Sequence, residues 1–200
     1  MIKAIIFDIG GVITFSDFEL LYANFANRIG ISPEFVSKYN EENLPELLLG
    51  NITLEQFFGA MRDADSKEKG DLESIWIEEA LKIRKVNKEL LDLIDRLRKK
   101  YTIGVLSNLT PSRLIVDKAM GIYNHFDFVL LSCQEHLKKP DPKFYQLAID
   151  RAGVVASSII YVDDKEKYTS AAADLGFNSI TYRVNKQLFE ELEDLDTIFK

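Results

Sequence analysis

The chain has 200 residues, 46% of them hydrophobic, and its 25 basic and 32 acidic side chains give a formal net charge of −7. This size allows one well-packed domain with an insertion, and the acidic balance without a strongly basic stretch argues against nucleic acid or an anionic membrane as a partner. A single cysteine excludes an intramolecular disulfide, and the absence of a signal-peptide pattern or a long apolar run predicts a cytoplasmic protein of unknown oligomeric state.

The first predicted element is a buried strand over residues 2–7, IKAIIF. Its residues are nearly all apolar and often β-branched, as expected in a parallel sheet that is covered on both faces. Asp8 ends this run, and Gly10 and Gly11 follow within three positions. A carboxylate beside a backbone loosened by glycine belongs either to a turn or to a group that faces a ligand.

The interval 16–85 contains no convincing strand. Apolar residues at helical spacing and helix-start signals predict helices at about residues 18–29, 33–43, 53–64 and 71–84. A connection of this length is far longer than the usual strand-to-helix loop. We therefore predict an all-helical cap over residues 16–85, inserted between two parts of an α/β core, residues 1–15 and 86–200.

After the cap, strands and helices alternate to the end of the chain. Strands are predicted over residues 102–106, 127–131, 159–162 and 178–182, and helices over residues 87–100, 142–152, 166–175 and 186–195. Buried strands joined by crossover helices predict an α/β fold with a doubly wound, Rossmann-like parallel sheet of five strands. In such a sheet, ligands bind at the carboxyl ends of the strands.

Polar clusters directly follow the first four predicted strands: Asp8, Ser107-Asn108, Lys139 and the pair Asp163-Asp164. Each cluster alone is a common loop or helix-cap sequence. Together, at one edge of a parallel sheet, they suit phosphoryl transfer, because Mg²⁺ prefers oxygen ligands and offsets the repulsion between three carboxylates and a phosphate.

The residue types assign a chemical role to each cluster. Asp8 can attack phosphorus and form an aspartyl-phosphate, while Lys139 neutralises the phosphoryl oxygens and the Ser107 hydroxyl donates to them. Gly10 and Gly11 let the backbone approach the transferred group closely. The predicted substrate is therefore a small phosphorylated molecule.

The stretches FDIGGV, VLSN, KKPDPKFY and YVDD resemble, in order and spacing, the four motifs of the haloacid dehalogenase-like superfamily. The resemblance covers about residues 1–15 and 86–185, and a helical cap after the first motif fits it. It implies that Asp8 is both nucleophile and metal ligand. It also implies a Mg²⁺ site of Asp8, the Gly10 carbonyl, Asp164 and Asp163, with Asp163 either assisting Asp164 or positioning Lys139, and a phosphoryl site of Ser107 and Lys139. We further expect Gly10, Gly11 and Asn108 beside the phosphoryl group, and Asp17 of the cap in contact with the substrate.

Two positions depart from the pattern of this family. Most of its phosphatases carry a second Asp two residues after the nucleophile, as general acid and base, and this chain has Gly10 there. General acid and base catalysis contributes about 10²- to 10⁴-fold in rate. In this chain it must come from another group, for example Asp17 in the cap, or be missing. The second departure is Tyr168, where an Asn often supports the lysine, and we expect this change to tune activity.

Three functions remain open at this stage. The first is a Mg²⁺-dependent phosphatase of a small metabolite, with sugar phosphates among the candidates. The second is a phosphate-binding or regulatory homologue without turnover, which Gly10 keeps possible. The third is a 2-haloacid dehalogenase, which Gly10 and the intact Asp163-Asp164 pair disfavour, because those enzymes need no metal and usually carry an aromatic residue at position 10.

Overall fold

The computed structural model describes residues 1–65 and 70–196. Within them the strands are β1 (Ala4–Phe7), β2 (Thr14–Phe15), β3 (Lys85–Val86), β4 (Thr102–Ser107), β5 (Phe128–Leu131), β6 (Ile159–Asp163) and β7 (Asn178–Thr181). The α-helices are α1 (Phe18–Ile29), α2 (Pro33–Leu49), α3 (Leu54–Asp65), α4 (Leu72–Ile83), α5 (Lys88–Leu97), α6 (Pro111–Ala119), α7 (Ser132–Glu135), α8 (Pro142–Ala152), α9 (Glu166–Asp174) and α10 (Asn185–Asp196). None of these described helices combines the length and the apolar character that a bilayer span requires.

The five longer strands form one parallel sheet in the order β5-β4-β1-β6-β7. Strand β1 lies in the middle, so that Phe7 pairs with Val105 on one side and with Val162 on the other. Two apolar clusters cover the two faces of the sheet. The α/β fold with a five-stranded parallel sheet is therefore confirmed. The strand order reverses its direction beside β1, and in such sheets a crevice opens there at the carboxyl ends of the strands.

Helix α6 is the main element that the sequence did not predict. It follows β4 and begins at Pro111, which suits the first turn of a helix. Its apolar residues Leu114, Ile115 and Val116 are consecutive, and the polar residues Arg113 and Asp117 point inward. The helix therefore lacks the apolar stripe by which helices are recognised.

Four helices, α1 to α4, lie between β2 and β3 and pack around an apolar cluster of their own, and we call residues 16–84 the helical insertion. Helix α2 runs to Leu49, beyond its predicted end at residue 43. Pro45 lies inside it and removes one helical hydrogen bond, but burial of Leu47 keeps the last turn in place. Gly50 then ends the helix with a φ of 66°.

A two-stranded antiparallel ribbon joins the helical insertion to the sheet. Strand β2 leaves the sheet edge and β3 returns beside it, with Thr14 paired to Val86 and Phe15 paired to Lys85. The sequence did not predict this ribbon, because two residues are too few to show a strand period. Asn87 fixes the return of the chain by donating from its backbone to Ile13 at 2.8 Å.

Two further contacts hold the helical insertion against the core. Arg84, after α4, forms a buried ion pair with Asp117 of α6, with the closest nitrogen and oxygen 2.6 Å apart. At the other side, Gly50 lies against the Cys133 carbonyl of α7, where a Cβ atom would stand 2.1 Å from the carbonyl oxygen. The space between these contacts, above the carboxyl ends of the strands, contains the candidate site.

Candidate active site

The polar residues that follow the strands lie together at the carboxyl edge of the sheet. Asp8 follows β1, Ser107 ends β4 and Asp163 ends β6, with Asp164 next to it. Lys139 reaches the same place from the loop before α8. The structure therefore brings the four predicted clusters to one edge, where two adjoining cavities meet.

Lys139 lies at the centre of the charged groups. Its Nζ atom is fully buried, 2.6 Å from Asp163 Oδ2 and 3.0 Å from Asp8 Oδ1. Burial by itself would lower the pKa of Lys139, but the carboxylates of Asp8 and Asp163 outweigh that effect and raise its pKa. Lys139 therefore stays protonated and provides a fixed positive charge beside Asp8.

Both carboxylate oxygens of Asp163 are committed to neighbouring groups. Oδ2 accepts hydrogen bonds from Lys139 Nζ and from the Tyr161 hydroxyl, each at 2.6 Å, and Oδ1 accepts from the Lys165 backbone at 2.9 Å. Burial raises the pKa of Asp163 to about 6, against the opposing effect of Lys139. This geometry makes Asp163 the residue that holds Lys139, one of the two roles predicted for it, and Tyr161 is a partner that the sequence did not reveal.

Asp164 differs from Asp163, because one of its oxygens has no partner. Asp164 Oδ1 is buried and has no hydrogen-bond partner within the described residues, whereas Asp8 Oδ1 forms an ion pair with Lys139 Nζ at 3.0 Å. One oxygen from each of Asp8, Asp163 and Asp164 lies within 4.8 Å of the other two. Carboxylate oxygens at this spacing fit a hard divalent cation such as Mg²⁺, which takes oxygen ligands.

Gly11 makes the position of Asp164 possible. Its φ is +85°, and a Cβ atom at this residue would stand 2.5 Å from Asp164 Oδ2. A side chain at position 11 would therefore require both a strained backbone and a displaced carboxylate. In the structure Gly11 makes room for Asp164, and its contact with phosphate stays a prediction.

Ser107 and Asn108 have different surroundings although they are adjacent. The Ser107 hydroxyl is buried and lacks a hydrogen-bond partner among the described residues, so it is free to donate to a ligand. The Asn108 side chain instead accepts from the Lys139 backbone at 2.8 Å and donates to the Lys139 carbonyl at 3.0 Å. It also donates to the Tyr168 hydroxyl at 3.3 Å. Asn108 thus fixes the backbone of Lys139.

Tyr168 supports the lysine as well, although the family pattern often has Asn at this position. Its ring centroid lies 5.0 Å from Lys139 Nζ, within the range of a cation–π contact. Its hydroxyl meets Asn108, as described above, so the tyrosine stabilises both the charge and the backbone of Lys139. That this change tunes activity stays a prediction.

Asp17 lies outside the candidate site. Its carboxylate caps α1 by accepting from the Leu20 backbone at 3.0 Å, and the residue is exposed. It is absent from the walls of the two cavities, which Ser16 and Phe18 line. The structure therefore offers no support for Asp17 as the acid and base that Gly10 leaves missing.

Arg113 of α6 is the residue at the site that the sequence analysis missed. It lies beside Gly10, where a Cβ atom would stand 2.4 Å from Arg113 Nη2. The only sequence signal is a single arginine five residues after Asn108, at the start of an unpredicted helix. Arg113 lines both cavities.

The two cavities differ in size and in lining. The first has a volume of about 270 Å³ and surrounds Asp8, Gly10, Lys139 and Asp164. The second has a volume of about 370 Å³ and extends beneath the helical insertion, where its walls are mainly apolar and aromatic, including Tyr22 and Trp76. A ligand could therefore place an anionic group in the first cavity and the rest of its structure in the second.

Comparisons with known proteins agree with this geometry. Residues 2–176 match the family model of the haloacid dehalogenase-like hydrolases. A D-ribitol-5-phosphate phosphatase from Bacteroides thetaiotaomicron is 27% identical over 191 residues, which cover 90% of this chain and 91% of that protein. Bifunctional epoxide hydrolase 2 from Sus scrofa is 24% identical over 213 residues, 96% of this chain but 38% of that protein, so the chain spans less than half the length of this mammalian relative.

The solved structures point to the same fold. A haloacid dehalogenase family enzyme from Bacteroides thetaiotaomicron, solved in complex with magnesium and inorganic phosphate, superposes with a TM-score of 0.81. The two chains are 20% identical, and the alignment covers 100% of each. With the match of the family model over residues 2–176, the chain belongs to the haloacid dehalogenase-like hydrolases.

Proposed function

We propose that this protein is a Mg²⁺-dependent phosphatase that hydrolyses a small phosphorylated metabolite through an aspartyl-phosphate on Asp8. The observation that carries the proposal is the arrangement around Asp8. The buried carboxylate of Asp8 lies 3.0 Å from the ammonium of Lys139 and shares its cavity with Asp164, whose Oδ1 is buried without a hydrogen-bond partner among the described residues. Such a site attracts a divalent cation and a phosphoryl group together.

The proposed reaction has two steps. In the first, an oxygen of Asp8 attacks phosphorus, the bond from phosphorus to the ester oxygen breaks, and the alkoxide that is released takes a proton from water to become the alcohol. In the second, water attacks the phosphorus of the aspartyl-phosphate, inorganic phosphate is released and the Asp8 carboxylate is restored. Lys139 neutralises the phosphoryl oxygens and Ser107 donates a hydrogen bond to them in both steps.

Residues Asp8 and Asp164 would hold Mg²⁺, together with the Gly10 carbonyl. When bound, the cation would offset the charge of the carboxylates and lower the repulsion between them and the phosphate. Asp163 holds Lys139 in place, through the contacts described above. The helical insertion acts as a cap that covers the second cavity and selects the substrate.

Sugar phosphates are the first class of substrate to test, because a relative of similar length acts on D-ribitol 5-phosphate. The apolar and aromatic wall of the second cavity supports including esters with an apolar or aromatic body. The deciding measurement is phosphate release from a panel of both kinds of ester, with and without Mg²⁺.

Two variants complete this experiment. Asp8→Asn removes the nucleophile with little change in shape, and Asp174→Asn is a matched control because Asp174 is an exposed residue of α9. We expect release by the wild type and by Asp174→Asn in the presence of Mg²⁺, and none by Asp8→Asn. A folded wild type that releases no phosphate from any ester would instead favour the phosphate-binding homologue without turnover.

A further inference from the structure

The guanidinium of Arg113 is a partly buried charge that has no partner of its own among the described residues. No hydrogen bond or ion pair joins it to another described residue, and its Nε atom is fully buried and unsatisfied. The ring of Phe18 lies beside it, with the ring centroid 5.9 Å from the guanidinium carbon. Leaving a partly buried charge unpaired is costly, so an anionic group from a ligand is the natural complement.

The neighbouring groups show why the chain itself does not supply this complement. Asp117 is the nearest acid on the same helix, but Arg84 occupies it with three hydrogen bonds. Burial and the repulsion of Arg84 lower the pKa of Arg113, whereas Asp117 and Asp8 raise it. Asp117 is thus fully used by Arg84 and forms no ion pair with Arg113.

The position of Arg113 identifies which part of a substrate it would meet. It lines both the small polar cavity around Asp8 and the larger cavity under the helical insertion. Two other cationic residues line both cavities, but Arg84 is paired with Asp117 and Lys165 is exposed. In a phosphate ester, the atom at the boundary between the phosphoryl group and the rest of the molecule is the bridging oxygen.

Because Gly10 has no side chain, the guanidinium of Arg113 can lie at the boundary between the two cavities. A Cβ atom at position 10 would stand 2.4 Å from Arg113 Nη2, so any side chain there would displace the guanidinium from its place. The absence of a carboxylic acid at position 10 and the presence of Arg113 are therefore linked by geometry.

We propose that Arg113 is a catalytic residue that donates a hydrogen bond to the bridging oxygen of the substrate and stabilises the charge that develops there. This inference rests on the phosphatase function proposed above. As Asp8 attacks phosphorus, the bond between phosphorus and the bridging oxygen breaks and its electron pair stays on that oxygen. The guanidinium stabilises the resulting alkoxide and keeps its own proton, and the alkoxide takes a proton from water.

This role has a consequence that a purely structural role does not share. An alkyl alkoxide is a strong base and depends on stabilisation as it leaves, whereas 4-nitrophenolate is stable as an anion. Loss of the guanidinium should therefore slow the release of alkyl groups much more than the release of 4-nitrophenolate. General acid help of this kind contributes about 10²- to 10⁴-fold, and a charged hydrogen bond without proton transfer should give the lower part of that range.

The experiment compares kcat/KM for glycerol 1-phosphate, or the best alkyl ester of the panel, with kcat/KM for 4-nitrophenyl phosphate. Arg113→Met keeps an unbranched side chain of similar length and removes the charge, and Arg113→Lys keeps a charge but not the planar fork. Lys118→Ala is the matched control, because Lys118 is an exposed basic residue of the same helix. Guanidinium chloride at low concentration is added to Arg113→Met to test chemical rescue.

We expect Arg113→Met to lose about 100-fold on the alkyl ester and less than about 10-fold on 4-nitrophenyl phosphate, with Arg113→Lys between them. Added guanidinium should restore part of the loss on the alkyl ester. Equal losses on the two esters, or no loss on either, would overturn the role of Arg113 while leaving the phosphatase function intact. Failure of the phosphatase function has a different signature, since the wild type would then hydrolyse neither ester.

Discussion

Replacement of Asp117 by Asn should destabilise the protein strongly, because it leaves Arg84 buried without its counter-ion. The side chain of Asp117 is fully buried and that of Arg84 is 2% exposed. Three hydrogen bonds of 2.6 to 2.9 Å join them, and Arg84 also donates to Ser16 at 2.9 Å. The asparagine has nearly the same shape, so the change removes charge without opening a cavity.

The expected size of the effect follows from the burial of the pair. Removing one partner of a buried ion pair costs about 3–5 kcal/mol in the free energy of unfolding. The charges of Arg113 and Arg84 also repel each other, and the loss of Asp117 removes the carboxylate that offsets this repulsion. In a protein of this size, 1 kcal/mol shifts the melting temperature by about 2–4 °C, so a fall of about 6–20 °C is expected.

The assay is urea-induced unfolding, followed by circular dichroism and by the fluorescence of Trp76. The exposed control Asp174→Asn should stay within about 0.5 kcal/mol of the wild type. Burial raises the pKa of Asp117 even though Arg84 opposes the rise, which shows that ionising this residue carries a desolvation cost. The double variant Arg84→Met/Asp117→Leu should therefore regain most of the stability that Asp117→Asn loses. A loss below about 1 kcal/mol in Asp117→Asn would refute the reasoning.

Three further predictions concern other residues of the site and of its supports. Ser107→Ala should leave the free energy of unfolding nearly unchanged, because the buried hydroxyl has no hydrogen-bond partner among the described residues. It should lower kcat/KM about 10- to 100-fold, because the contact with the phosphoryl group is lost. Activity equal to that of the wild type would contradict the role of Ser107. Gly50→Ala should cost more than about 1 kcal/mol, because φ is +66° and the new Cβ would meet the Cys133 carbonyl, whereas Gly59→Ala, in open space on α3, should be neutral or stabilising in the same unfolding experiment. Burial raises the pKa of the Cys133 thiol to about 11, so the native protein should react slowly with a thiol reagent at pH 8 and faster as the pH rises towards that value; labelling of the native and the unfolded protein at the same rate would show that the thiol is exposed.

The parts of the fold that follow from local pattern could be predicted from the sequence. Strands β1, β4, β5 and β6 are short runs of mostly apolar residues, and the predicted ends of all five long strands differ from the observed ones by two residues at most. Helix α6 could not be predicted, because Arg113 and Asp117 occupy its inner face. The extension of α2 beyond Pro45 depends on the packing of Leu47 within the helical insertion, which no local signal shows.

The candidate site also has residues that the sequence predicts and residues that only the structure reveals. Asp8, Ser107 and Asp163 were placed at one edge of the sheet because each follows a strand, and parallel strands bring such residues together. The role of Asp163 as the partner of Lys139 depends on Tyr161, two residues earlier on the same strand, and on distances that sequence spacing does not fix. Arg113 comes from a different element, and its approach to Gly10 is a tertiary contact.

The ribbon of β2 and β3 also affects how the helical insertion could evolve or be engineered. Because Thr14 and Val86 are paired, the two ends of the helical insertion are neighbours. The path of the chain from β1 to α5 would therefore be nearly the same if a short loop replaced the insertion. Segments of different length or composition could therefore be exchanged between these ends without altering the strand register. Chimeras of related enzymes with junctions in this ribbon should keep the catalytic edge of one parent and acquire the substrate range of the other.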